Sequence, residues 1–240
     1  MKITDTSEMD IVYIVRAGEV NEELRYSLRS LKNLPHRRVV IAGYIPRWVR
    51  NVVAIPVNQN QVTKYANAEQ NWQHAMNDQR VSDNFILFND DFFVMQPLAG
   101  LPTLHRGKLS DVIRYYEQIN SGQYLQNMER TRDLLLEFGI DEPLSYALHV
   151  PMMMNKKRRK VLQATQLMFN EKGLDIQMRT LYGNFYHLGG EYYDDVKANG
   201  LNDEPDKSAV FLSSNDQTFM RGKIGEYIKN TFTEKGYYER

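Results

Sequence analysis

Apolar and polar positions along the chain switch between two periods. Ile11-Val12-Tyr13-Ile14-Val15 is an uninterrupted apolar run of strand length, the pattern of a strand covered on both faces of a sheet. Val20, Leu24, Leu28 and Leu31 then recur at helical spacing, which predicts a helix with one buried face, ended by Asn33 and Pro35. Residues 38–42 and 52–57 read as two more strands, the second placed at a sheet edge by Pro56. A helix is predicted over 66–76. The strand Phe85-Ile86-Leu87-Phe88 follows and stops abruptly in Asn89-Asp90-Asp91 before Phe92-Phe93 resume. Farther on, 107–139 reads as helical with charged outer faces, and Asp141-Glu142-Pro143 as a loop. A helix is predicted over 156–169. Residues 180–190, rich in Gly, Asn and aromatic side chains, are expected to be irregular. A last strand is predicted at 209–212 and a last helix at 225–232. Strand, helix, strand, strand, helix, strand is an α/β order, and such sheets bind ligands at the carboxyl ends of their strands.

Composition narrows the partners. The 240 residues fit one domain, with an insertion at about 107–140, and no repeat or long linker divides them. Thirty Lys and Arg balance thirty Asp and Glu, so the chain as a whole carries no field that draws nucleic acid or membranes. A local exception is Lys156-Lys157-Arg158-Arg159-Lys160, which is either a nucleic-acid contact or a solvated helix face. The absence of cysteine excludes disulfides and thiolate metal sites and fits a reducing compartment. Residues 1–10 lack a signal-peptide core, and no apolar run approaches the roughly 20 residues that cross a bilayer. The expected location is the cytoplasm, that of the host if a phage encodes the chain.

Adjacent carboxylates beside a buried strand are costly unless something cancels their charge. For Asn89-Asp90-Asp91, a divalent cation on a pyrophosphate would do so; an Asp-rich turn is the plainer alternative. Ser214-Asn215-Asp216 repeats the pattern after a second apolar strand. It is either a further set of oxygen ligands for the same hard cation or a helix N-cap. His149, within Leu148-His149-Val150-Pro151, is either a hydrogen-bonded structural residue or a general base. Arg179, between Met178 and Thr180, is either a surface cation or a planar grip on phosphate oxygens. Met152-Met153-Met154 reads as core packing.

Taken in order, these segments resemble the Stealth family of sugar-phosphate transferases. The matching pieces are Asp10 to Val15; Asn21-Glu22-Glu23-Leu24-Arg25-Tyr26-Ser27-Leu28-Arg29-Ser30-Leu31 with Phe88-Asn89-Asp90-Asp91; His149-Val150-Pro151 and then Arg179; Phe211-Leu212-Ser213-Ser214-Asn215-Asp216; and the ending Tyr238-Glu239. The compact length and the run from Arg179 to Asn184 are similar to small Stealth-like glycosyltransferases carried by bacteriophages. Two departures stand out. The family's first region usually continues Thr-Trp-Val-Asp-Gly where this chain has Ile14-Val15-Arg16-Ala17-Gly18. The family's Glu before the metal strand has its nearest match in Asn67-Ala68-Glu69.

The resemblance implies a single GT-A-like α/β domain over 1–240, with a mostly parallel twisted sheet and a helical insertion. It implies a metal-dependent transferase that moves a sugar-1-phosphate from a nucleotide-sugar, expected to be a UDP-sugar, to a hydroxyl acceptor. Asp90, Asp91 and Asp216 would hold Mg²⁺ or Mn²⁺. His149, Arg179 and Glu69 would be catalytic, and Arg25, Arg29, Asn89 and Asn184 would bind substrate. The acceptor would be a glycan. One alternative is a glycosyltransferase that releases UDP and modifies phage DNA or nucleotides; another is a non-enzymatic descendant that binds a glycan or protein. Retention of Asp90, Asp91, His149, Arg179 and Asp216 together speaks for an enzyme.

Overall fold

The computed structural model describes residues 2–119, 122–158 and 175–240. It is a mixed α/β fold with a central, mostly parallel sheet. In chain order the strands are β1 (Ile3–Thr4), β2 (Asp10–Val15), β3 (Arg38–Gly43), β4 (Val53–Pro56), β5 (Asn84–Asn89), β6 (Phe92–Val94), β7 (Leu101–Pro102), β8 (Leu104–His105), β9 (Met152–Asn155), β10 (Glu191–Tyr192) and β11 (Phe211–Ser213). The helices are α1 (Glu22–Ser30), α2 (Lys64–Asn77), α3 (Leu109–Gln118), α4 (Gly122–Glu137), α5 (Met178–Phe185), α6 (Asp216–Arg221) and α7 (Lys223–Thr231). The chain divides into two compact units. One comprises Ile3–Leu101, His149–Lys156 and Val196–Arg240; the other comprises Met1–Lys2, Pro102–Leu148 and Lys157–Asp195.

The first unit carries the central sheet, in the order β4-β3-β2-β5-β9. β2, β3, β4 and β5 are parallel and β9 is antiparallel. The apolar run of β2 is buried between two neighbours, which is why its sequence lacks alternation. Pro56 ends β4 at the sheet edge, as expected of a residue that cannot donate to a ladder. The methionine run, expected as core packing, is itself the strand β9, with Met154 buried and its sulfur receiving the Trp72 indole N–H at 3.1 Å. β11 pairs antiparallel with β6, placing Ser213 opposite Phe92. Phe93, Leu212, Phe219, Ile228 and Phe232 form the apolar cluster beneath them.

One expectation fails here, and one falls mostly outside the described residues. Val20 does not join the buried face of the first helix: the helix begins at Glu22, capped by the Asn21 side chain accepting from Leu24 N at 2.9 Å. A good cap sets the boundary against the apolar periodicity, and Val20 is left 83% exposed in the preceding loop. The predicted helix over 156–169 opens with a single 3₁₀ turn, Lys156–Arg158, and the rest lies outside the described residues.

In the second unit, α3 and α4 account for the helical stretch expected at 107–140. Of the segment 180–190 expected to be irregular, 186–190 are turn and loop as expected, while the part up to Phe185 belongs instead to the helix α5. Its Gly183 and Asn184 are poor helix formers, but tertiary contacts outweigh them. A Cβ at 183 would lie 2.3 Å from the Tyr146 ring, so glycine lets that ring pack on the helix. The Asn184 carboxamide closes a two-way bond with Leu144, accepting from its N–H at 2.8 Å and donating to its carbonyl at 2.7 Å.

Candidate functional site

β2 pairs with β3 on one side and β5 on the other, while the chain runs from β2 outward to β3 and β4 before returning to β5. The strand order therefore reverses between β2 and β5, and a crevice opens outside the carboxyl ends of strands at such a switch point. Asn89 ends β5 there, and Asp90-Asp91 form the tight link into β6. Because β6 pairs with β11, the second acidic junction is delivered to the first: Ser214 N donates to the Asp91 carbonyl at 3.3 Å. Asn215 then caps α6 with a capping box, and Asp216 opens the helix. Asn-Asp at this junction thus serves both as helix cap and as a carboxylate in the cleft.

Four carboxylates face one another across this junction. Glu23, in the first turn of α1, is buried and accepts from Ser214 Oγ at 2.5 Å. Burial, then the charges of Asp91 and Asp90, push its carboxyl up to about 8. Asp90 accepts from Asn21 Nδ2 at 2.7 Å; burial and then Asp91 push it up to about 6. Asn21 therefore joins helix and site, its oxygen capping α1 and its nitrogen holding Asp90. Asp91 receives the Lys197 ammonium on Oδ2, while its buried Oδ1 has no partner among the described residues. Asp216 receives the Arg16 guanidinium, which holds it below the usual carboxylate range against the effect of burial. Arg16 also approaches Glu23 at 3.9 Å.

The donor set is all oxygen, which suits Mg²⁺ or Mn²⁺. The orphaned Asp91 Oδ1 and the raised Glu23 and Asp90 carboxyls are the signature of like charges short of a counter-ion. Among the described residues no group of three or more His, Asp or Glu is arranged to hold an ion as it stands. Arg16 and Lys197 answer part of the charge instead.

The other expected site residues fall in several places. His149 lies in the same unit as the carboxylates, its ring edge-on to Phe92 at 6.2 Å between centroids. Glu69 is buried on α2 and accepts from Gln73 Nε2 at 2.9 Å, a bond one helical turn long. Arg25 and Arg29 converge on the buried Glu239, at 3.1 and 2.7 Å, and stack over Trp48 and Tyr26. They tie the chain's Tyr238-Glu239 ending to α1. Arg179 and Asn184 belong to the second unit, where Arg179 donates to the Leu148 carbonyl at 2.9 Å. Asn184 makes the bonds to Leu144 described above. Of the basic run, Lys156 is buried and donates to the carbonyls of Asp78 at 2.6 Å and Val81 at 2.8 Å, an internal clamp. Arg158 lies over the Tyr186 ring at 4.7 Å; Arg159 and Lys160 lie outside the described residues.

Sequence reasoning missed Glu23, Arg16 and Lys197 as members of the site. Glu23 reads in sequence as an ordinary acidic residue near a helix N-terminus. The available signal for Arg16 was its place where the Stealth pattern has Val-Asp-Gly. Nothing in the sequence marks Lys197. Neither a comparison with protein-family models nor one with curated proteins found a match to this chain.

Proposed function

We propose that this chain is a nucleotide-sugar-dependent transferase that moves a sugar-1-phosphate from a UDP-sugar to a hydroxyl acceptor, in a GT-A-like fold akin to that of the Stealth family. The observation that carries the reading is the gathering of Asp90, Asp91, Asp216 and Glu23 at the switch point of a parallel sheet. A diphosphate and a divalent ion are the ligand pair that such a site calls for. Asp90, Asp91 and Asp216 would hold Mg²⁺ or Mn²⁺, with Glu23 behind them; the metal would supply charge neutralisation on the leaving phosphate. Lys197 and Arg16, released from Asp91 and Asp216, would face phosphate oxygens. His149, in the same unit as the carboxylates, would accept the proton of the acceptor hydroxyl.

The nucleotide released in the presence of Mn²⁺ and a UDP-sugar tests the reaction. Attack at the phosphorus next to the sugar leaves UMP, whereas attack at the anomeric carbon leaves UDP. UMP as the primary product supports the phosphotransferase, and UDP makes the chain a glycosyltransferase. Unaltered Mn²⁺-dependent donor binding by D90N, D91N and D216N alike would refute the metal assignment. The acceptor is a glycan in this reading. Use of Lys156 as an internal clamp weakens the case for the basic run as a DNA contact.

A further inference from the structure

A cavity of about 280 Å³ adjoins the carboxylate cluster, and its wall includes Ile14, Gln59, Tyr65, Asn71, Asn89 and Asp90. One backbone group orients two of its polar side chains. The Val15 carbonyl, at the end of β2, accepts from Tyr44 N at 3.1 Å, Gln59 Nε2 at 2.8 Å and Asn71 Nδ2 at 3.3 Å. A carbonyl can only accept, so both carboxamides must present their NH₂ groups to it, and neither can flip without setting oxygen against oxygen. Asn71 is 1% exposed, and no donor among the described residues reaches its Oδ1. The close approach depends on Gly43, whose φ is +118°: a Cβ there would stand 2.1 Å from Val15 O, 2.7 Å from Asn71 Nδ2 and 3.1 Å from Gln59 Nε2. Asn71, a residue of the cavity wall, thus holds a buried acceptor in a fixed orientation with no donor among the described residues. Buried polar groups are nearly always paired, and of the unpartnered buried oxygens among the described residues this one belongs to a side chain of the cavity wall.

We propose that Asn71, oriented by Val15 and Gly43, is the residue that reads the base of the donor nucleotide, and that it selects uracil through the N3–H. The proposal rests on the nucleotide-sugar reading above. The cavity lies just below the roughly 300–1,000 Å³ usual for small-molecule sites, so it takes a base rather than a whole nucleotide-sugar. Ile14 and Tyr65 offer apolar surface to a planar ring. Uracil presents a ring N–H to the Asn71 oxygen. Cytosine presents a lone pair at the same ring position, where it would meet the oxygen of an amide that cannot turn. Asp90 beside the cavity puts the attached diphosphate next to the carboxylate cluster.

Calorimetric titration with UDP, CDP, GDP and ADP in Mn²⁺ tests this. UDP is expected to bind at least about tenfold tighter than CDP, the worth of one hydrogen bond to a site otherwise left unpaired. N71L is expected to bring UDP down to the level of CDP. It leaves the Val15 carbonyl with two donors, so the melting temperature of the free protein should hold or rise. UDP methylated at N3 probes the same contact in the unaltered protein and needs no variant that folds. Equal binding of UDP and CDP, or full-strength binding of N3-methyl-UDP, would overturn the role of Asn71 while leaving the nucleotide-sugar reading in place. Failure of all four diphosphates to bind would instead remove that reading, and this inference with it.

Discussion

The carboxylate cluster makes the ligand-free protein less stable as pH rises, and Glu23→Gln should remove most of that dependence. Glu23 ordinarily titrates near 4.5 and is pushed up to about 8 by burial and by Asp91 and Asp90. A carboxyl raised in the folded state binds a proton more tightly there than in the unfolded chain. Its contribution is therefore full below about 4.5 and is lost as pH climbs through about 8. Each tenfold change in proton affinity carries about 1.4 kcal/mol, so the gap from 4.5 to about 8 is worth at most on the order of 5 kcal/mol, and less for Glu23 alone because the carboxyls titrate together. That is a large part of the roughly 5–15 kcal/mol that holds a domain folded. Glutamine keeps an oxygen for the Ser214 hydroxyl and adds no ionisable group. Urea unfolding from pH 5 to 9 in EDTA, wild type against E23Q, reads the difference directly. The two should agree near pH 5 and diverge upward, with the variant more stable at pH 8.5. Mg²⁺ added at pH 8.5 should recover much of the wild-type loss. A wild-type stability that is flat or rising over this range, or a variant with the same slope as wild type, would refute the reasoning.

Three further outcomes follow from named contacts. H149N should lower turnover by about 10²–10⁴-fold with donor affinity little changed; a lower melting temperature with full activity per folded molecule would make the ring against Phe92 purely structural. E239Q should cost about 3–5 kcal/mol in chemical denaturation, because it leaves Arg25 and Arg29 without their shared buried carboxylate. Burial opposes ionisation of Glu239, but bonds from Arg29, Gly236 N–H and Arg25 hold it below the usual range. Its stabilisation is thus present above about 4.5 and lost toward lower pH, and that acid limb should flatten in the variant. K156Q should lower the melting temperature, since the Asp78 and Val81 carbonyls lose their ammonium donor, and should leave the salt dependence of any DNA binding unchanged.

Patterns local in the chain were legible without tertiary structure. A five-residue apolar run with no alternation can satisfy itself only inside a sheet, and Ile11–Val15 does so. Asn-Asp-Asp straight after Phe85–Phe88 marked the end of a strand and a concentration of charge, because neither feature depends on distant residues. The α/β order followed from the same periodicities. What the sequence left open depends on contacts far apart in the chain. The pairing of β6 with β11 brings Asp216 to Asp90 and Asp91, residues more than a hundred positions away. The start of α1 at an Asn cap turns Glu23 inward and leaves Val20 outside. Contacts with Tyr146 and Leu144 make a helix of a segment whose own propensities argue for a loop. Asn71 lies on a predicted helix like any polar residue; only Val15 and Gly43, brought to it by the sheet, fix its oxygen without a partner. Propensity and periodicity act over a few residues, whereas charge, burial and hydrogen-bond satisfaction are settled by whichever groups the fold puts together.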